Sequence, residues 1–452
     1  MNSLIQFKKI SIVPLLITLA LVIGPPPAAR ATDLTATPVL IWSTEARRAI
    51  VPAGPGGIFG PENYGNKFPG EAGVYMGIVH VAMYDAAVAI DGGYEPYAIA
   101  LSAPTNTSPE AAIATAAHHT LVGCADCSHS GLQPALGLTP DQQAILDGDY
   151  ASYMDSIPEG EAKTNGIWVG QQVAAAVAAL RANDGRDANP PFNPPPPGPG
   201  VWERNPGNPP PPVQGLRLPV ITPLALESAS QFRPDGPNDL TSEEYTEDFN
   251  QIKELGRDTS ATRTPEQTAH ALFWTDHDLR QWNDGLLGLA IDRGLDLVQT
   301  ARMLAMAHVA GGDGYIACFD AKYYYWFWRP YRAIALADTD RNPATEPDPT
   351  WAPLRTTPNH PEYPSAHAAH SAAVARALEA FFGTHRIPFS LDSRSPGASP
   401  PRTYRSFRDV VKDVNEARVL VGFHFRNSDQ EGSNLGRTIG RYVAEHYFQP
   451  VQ

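Results

Sequence analysis

Only three of the 452 residues are cysteine, so disulfides cannot carry the stability of this chain and a packed core must. Alternation of apolar and polar residues with period two is nearly missing outside short loop segments, which excludes an extensive sheet. Positive charge is also scarce. Lys and Arg number 34 against 48 Asp and Glu, and the formal charge of −14 argues against a nucleic-acid or anionic-membrane partner. Beyond the N-terminus no stretch reads as long and apolar enough for a membrane helix. Proline, by contrast, is plentiful at 45 residues. It crowds between Pro190 and Pro212, where neither a helix nor a central strand can form.

Residues 1–31 read as a secretory signal: Lys8 and Lys9, an apolar run too short to span a bilayer comfortably, then Ala29-Arg30-Ala31 as the cleavage site. The expectation is a secreted or periplasmic protein, cut after Ala31, with no membrane anchor after cleavage. Residues 32–189 read as an N-terminal helical region with Ala-rich runs at 74–90, 111–121, 141–156 and 164–182. Residues 190–225 form a Pro-rich connection, read as a lid or a long surface loop. Residues 226–452 form a second helical domain, with patterning at 242–255, 265–277, 286–310 and 368–382. The fold class is mainly α: helical bundles with long Pro-rich loops.

Several smaller features have bland readings. Cys124 and Cys127, with His118, His119 and His129 nearby, read as a local disulfide or two thiols rather than a small metal site. Cys318 reads as buried, and His80 as a buried, hydrogen-bonded histidine. Residues 338–342 resemble the start of a calcium loop, but Pro343 stands where Gly is needed and Pro349 where Glu is needed, so a turn-rich loop is expected.

The chemistry lies between Lys322 and His424. Lys322 and Arg329, seven apart, would share one helix face, with Pro330 ending that helix and aromatic residues 323–328 walling the site. Tyr363-Pro364-Ser365-Ala366-His367 opens an Ala-rich helix. The Ser365 hydroxyl and Ala366 N–H would meet an anion at the helix start, and His367 in the first turn would shuttle protons. Arg418 precedes His424 by six residues. Gly422 would break the helix between them, residues 428–431 would cap the next, and His424 would face the anion from a short loop. An acid among Asp276 and Asp278, clustered with Trp274, His277 and Trp282, is expected to orient an arginine of the site. His370 reads as solvent-facing. Three cations, a hydroxyl and two imidazoles make a site for a tetrahedral oxyanion. Phosphate and vanadate are near-isosteric, so the residues alone do not choose between them.

These three blocks, Lys-(six)-Arg-Pro, Pro-Ser-Ala-His and Arg-(five)-His, resemble those of the vanadium-dependent haloperoxidase and type 2 phosphatidic acid phosphatase superfamily, in its bacterial haloperoxidase-like branch. Residues 228–234, 263–267 and 320–330 look like that branch too. One departure is Ala366, where the family usually has Gly, which bears on cofactor affinity. The resemblance implies helical bundles with the anion site at the ends of bundle helices. It implies a vanadate cofactor bonded through His424 as the one metal ligand and held by Lys322, Arg329, Ser365, Ala366 and Arg418, in a site that phosphate can also occupy. It further implies that His367 deprotonates hydrogen peroxide, that Lys322 polarises bound peroxide toward halide attack, and that a hypohalous acid equivalent meets a small organic substrate. The alternatives are an acid phosphatase, with His424 as nucleophile and His367 as general acid, and an oxyanion-binding protein of another activity. His360 and Phe319 occupy halide-tuning positions and point to different halides. Homo-oligomerisation stays open.

Overall fold

The computed structural model describes residues 35–123 and 129–451, which lie in one compact unit, Thr35–Gln452. The signal segment and the Cys124/Cys127 pair lie outside the described residues. Among the described residues, thirteen α-helices, three short 3-10 helices and one two-stranded antiparallel sheet make up the regular structure. The mainly helical reading is right.

Two helix pairs organise the unit. The first is α2 (Pro69–Asp91) against α9 (Leu297–Tyr325). Their backbones touch because Gly73 and Gly77 of α2 face Gly312 and the His308 carbonyl of α9. By length and composition α2 could cross a membrane, contrary to expectation; 89% of its most apolar window is buried inside the protein, as in a core helix. There His80 is buried, with Nδ1 against the Met76 carbonyl at 2.8 Å and Nε2 against the Ser43 hydroxyl at 3.0 Å, as expected.

The second pair is α11 (Ala366–Phe382) against α13 (Arg426–His446), and it sets the site. Gly432, Gly436 and Gly440 recur every four residues on one face of α13. A Cβ added there would lie 2.5 Å from the Ser365 carbonyl oxygen, 2.1 Å from that of Ala369 and 2.4 Å from that of Ala373. Such contact is open only to glycine, and it draws the start of α11 against the start of α13. The Ser365 N–H donates to the Ser428 carbonyl at 2.9 Å and locks that register.

Helix boundaries differ from expectation in three places, each for a local reason. Residues 286–310 are not one helix: α8 (Asp278–Arg293) stops at left-handed Gly294, and Asp296 caps α9. Trp326 ends α9 at φ +52°, so Pro330 does not terminate a helix but starts the short α10 (Pro330–Ala335), with Arg329 as its N-cap residue. Ser428 does not cap α13, which begins two residues earlier behind Phe425. Gly422 does break the chain after α12 (Phe407–Leu420), at φ +82°.

The Pro-rich stretch runs as an irregular strap. Its Trp202 N–H donates to the Trp326 carbonyl at 2.6 Å, and Trp328 N–H donates back to Gly200 at 2.9 Å. Asn359 fastens the far end: its amide donates to the Pro211 and Pro212 carbonyls at 2.8 and 3.0 Å, and its Oδ1 accepts from Asn205 N–H at 2.8 Å.

Gly436→Ala should destabilise the fold by about 1–3 kcal/mol, the usual cost of overpacking, read as a fall in the denaturant midpoint at unchanged slope.

Candidate functional site

The three blocks converge. Lys322 sits in the last turn of α9, Arg329 at the start of α10, Ser365 and His367 at the start of α11, Arg418 in the last turn of α12, and His424 in the loop before α13. Lys322 and Arg329 are 0% exposed, Ser365 0%, and Arg418 and His424 2%. A cavity of about 120 Å³ is lined by Arg418 and His424 together with His360, Ala366 and His367, with Phe68, Phe319 and Pro358 as its apolar side; Lys322, Arg329 and Ser365 lie behind this lining. Residues 323–328 do not line it. Phe327 and Trp328 are buried in a neighbouring core cluster, and Tyr324 is 61% exposed.

Lys322 and Arg329 act on one segment from two helices rather than from one helix face. The Lys322 ammonium donates to the carbonyls of Pro361, Glu362 and Pro364 at 3.0, 2.7 and 2.5 Å. An ammonium has three N–H bonds, so here Lys322 supplies its field to the site and its hydrogen bonds to the loop. Burial and the Arg329 charge push it down to about 7. Arg329 donates through Nε to the His360 carbonyl at 3.0 Å and through Nη1 to the Phe423 carbonyl at 2.9 Å, and Nη1 lies 3.3 Å from His424 Nε2. Burial holds Arg329 and Arg418 down at about 10, which leaves both charged at neutral pH.

Glu362 is the functional residue that sequence reasoning passed over. Its Oε1 accepts from His424 Nδ1–H at 2.9 Å and from the Phe425 N–H at 3.1 Å, and its Oε2 accepts from the Ser428 hydroxyl at 2.6 Å. A proton on Nδ1 leaves Nε2 as a lone pair, here 3.3 Å from Arg329 Nη1, the tautomer that a metal ligand or a nucleophile requires. Burial and the charges of Arg329, Lys322 and Arg418 hold His424 well below its ordinary value, so the ring stays neutral. The signal was a lone acid inside the otherwise apolar Pro361-Glu362-Tyr363-Pro364.

The acid that enters from the α8 start is Asp278, and it serves histidines rather than an arginine. Its Oδ2 accepts from the Tyr315 hydroxyl at 2.6 Å and lies 3.3 Å from His370 Nδ1 and 3.9 Å from His367 Nδ1. Burial would raise this carboxyl, but the two imidazoles and the Tyr315 hydroxyl hold it below its ordinary value. His370 is therefore not solvent-facing. It is 1% exposed and stacked on Tyr315 at 4.6 Å. The arginine contact from that cluster comes from a backbone group, the Trp274 carbonyl, which accepts from Arg418 Nη1 at 2.6 Å. His367 sits in the cavity wall, and burial and the Arg418 charge hold it at about 3.

His367 Nε2 and Arg418 Nε are each buried without a hydrogen-bond partner, whereas the Ser365 hydroxyl lies against the buried Asp429 carboxyl. Buried polar atoms are normally paired; a tetrahedral oxyanion beside His424 would give Arg418 Nε its acceptor, and the neutral His367 would present a proton-accepting nitrogen to the same space. The N–H of Ala366, first residue of α11, has no partner within its helix by position. Ala366 has no positive φ, so this backbone does not need the family's Gly; its methyl lines the cavity. The residues fit vanadate. Phe319 and His360 both line the cavity, with ring centroids 5.0 Å apart.

Glu362→Gln should weaken the preference for the Nδ1–H tautomer of His424, visible in its imidazole ¹⁵N shifts, without unfolding the protein; unchanged shifts would remove the orienting role. Sulfate binding should be full below about pH 7 and weaken above it as Lys322 loses its proton and Glu362, pushed up to about 7 by burial, becomes charged; Lys322→Met should bind sulfate more weakly and keep only the shallower limb due to Glu362. Titration calorimetry across pH 5.5–8.5 checks both, since sulfate keeps its charge over that range (roughly two units either side of 7).

With this geometry in hand, likeness to known proteins can be stated. Residues 302–452 match the family described as the VCPO second helical-bundle domain. Among curated proteins no sequence matches. The fold is similar to that of the first bacterial vanadium-dependent iodoperoxidase, with TM-score 0.75 at 21% identity over 93% of this chain and 99% of that one. It is also similar to a bacterial vanadium-dependent chloroperoxidase in apo and holo forms. The apo form gives TM-score 0.63 at 16% identity, over 84% of this chain and 95% of the other. The holo form gives 0.64 at 16%, over 91% and 97%. The chain therefore has the fold seen in these bacterial vanadium-dependent haloperoxidases, and its residues 302–452 match the VCPO second helical-bundle domain.

Proposed function

We propose that this protein is a vanadate-dependent haloperoxidase that uses hydrogen peroxide to oxidise halide to a hypohalous acid equivalent. The observation that carries the reading is His424, oriented by Glu362 and touched at Nε2 by Arg329, in the wall of a cavity of about 120 Å³ that it shares with His367 and the unpaired Arg418 Nε. A cavity of that size suits an oxyanion with peroxide and halide, and it leaves little room for the alcohol of a phosphate ester. That size, and the solved structures it resembles, favour the haloperoxidase over the phosphatase reading.

Vanadate, when bound, would supply a Lewis-acidic centre that activates peroxide without changing its own oxidation state. His424 would hold it through Nε2, while Arg329, Arg418, the Ser365 hydroxyl and the Ala366 N–H neutralise and hydrogen-bond its oxygens. His367, neutral and with Nε2 unpaired, takes the proton from incoming peroxide, and the Asp278 carboxylate stabilises the imidazolium formed. Phe68, Phe319 and Pro358 keep bulk water from that side of the cavity and so strengthen each charge within it. Lys322 acts through its positive field and by fixing the 361–364 loop. Export and the organic acceptor of the oxidised halide belong to the same proposal, supported by the N-terminal signal pattern.

The test is one preparation assayed two ways after vanadate reconstitution: bromination or iodination of a reporter phenol with peroxide, and hydrolysis of a phenyl phosphate. Peroxide- and halide-dependent turnover, suppressed by phosphate, is expected. His424→Ala should lose vanadate retention, and His367→Ala should retain vanadate with turnover reduced by about 10²–10⁴-fold. No halogenation beside brisk ester hydrolysis would establish the phosphatase instead.

A further inference from the structure

Away from the catalytic cavity, α11, α12 and α13 leave a groove of about 640 Å³ between them. Each helix gives it one face at spacing i, i+3, i+4, i+7: residues 372, 375, 376 and 379, then 408, 411, 412 and 415, then 434, 437, 438 and 441. Its charge is the reverse of the protein's. Arg376, Arg408, Lys412, Arg437 and Arg441 face one acid, Glu379, in a chain with a formal charge of −14. Glu379 is already paired with Arg408 at 2.9 Å. The other four cations have no carboxylate within 4.0 Å among the described residues. Like charges so placed repel one another, and acids to neutralise them are common elsewhere in the sequence.

We propose that this groove binds a linear anionic glycan, sulfated or carboxylated, at a site separate from the catalytic cavity. Four of the five cations are arginine, whose planar fork matches sulfate and carboxylate oxygens in pairs. The floor of Ala372, Ala375 and Val411 lets a chain approach closely, and Asn415, whose Oδ1 accepts from Ser433, keeps its amide N–H groups for hydroxyls. No aromatic ring lines the groove, so bases have nothing to stack on. No large apolar side chain lines it either, and its cations surround a concavity, which suits a strand of polymer better than a flat lipid surface. The positive stretch ends beyond Lys412, where Asp409, Asp413 and Glu416 enter the neighbouring surface.

Fluorescence anisotropy of the full chain with labelled dextran sulfate, carboxymethyl dextran and neutral dextran tests this, with a single-stranded oligonucleotide and anionic phosphatidylserine vesicles as competitors. One or both charged dextrans should bind, neutral dextran should not, and affinity should fall steeply with salt. The combined substitutions R376Q, R437Q and R441Q should weaken binding at least about tenfold, as expected for the loss of several charge contacts. R204Q with R386Q, exposed arginines elsewhere, should change nothing. Phosphate sufficient to block turnover should not displace the polymer, and halogenating or hydrolytic turnover in the triple variant should equal that of the wild type, so this result stands apart from the catalytic assignment. Equal affinity in the triple variant, equal loss in R204Q/R386Q, or tighter capture of oligonucleotide or vesicles would overturn it.

Discussion

Positive charge without water is the constraint on which this structure depends. Lys322, Arg329 and Arg418 lie within one small region at 0 to 2% exposure, and an unpaired ion in such surroundings costs several kcal/mol. The protein meets that cost mainly with backbone oxygen. Carbonyls of Pro361, Glu362 and Pro364 surround Lys322, those of His360 and Phe423 hold Arg329, and that of Trp274 holds Arg418. Carbonyl dipoles solvate a cation without cancelling its charge. A full set of carboxylate partners would have stabilised the fold more and left nothing to attract an anion.

The fold supplies those carbonyls at the right places. Close contact between α11 and α13 through Gly432, Gly436 and Gly440 puts the start of one helix against the start of the other. The segment leading into α11 then passes beneath the loop leading into α13, and Glu362 can reach His424. A stripe of missing side chains thus determines the tautomer of an imidazole one loop away. The two carboxyls nearest the histidines divide the work: Glu362 orients one ring, which burial and the surrounding cations keep neutral, and Asp278 lies beside His367 and His370.

Much of this was legible before any coordinates. The three blocks carry most of the anion-facing groups, and their order and spacing are specific enough to bring Lys322, Arg329, Ser365, His367, Arg418 and His424 together on paper. What sequence concealed was carried by tertiary context. Trp326 occupies a left-handed conformation that residue type does not advertise, so the helix end and the role of Pro330 were misplaced. Ser428 resembles a helix cap in one dimension and is a carboxylate's partner in three. His370 has no periodic signature separating it from a surface residue, because its burial comes from stacking on Tyr315 of another helix. The apolar α2 looks alike whether lipid or protein surrounds it.

The Asn359 fastening has a consequence for the cavity. Besides its three side-chain bonds, its backbone N–H donates to Gln214 Oε1 at 3.1 Å and its carbonyl accepts from Gln214 N–H at 3.0 Å. Gln214 itself lines the cavity beside Phe68 and Pro358. Widening the rim there would break several of these bonds together, at roughly 1 kcal/mol each. On that side, then, the cavity wall is tied to the Pro-rich strap through one residue, and its shape follows the strap's.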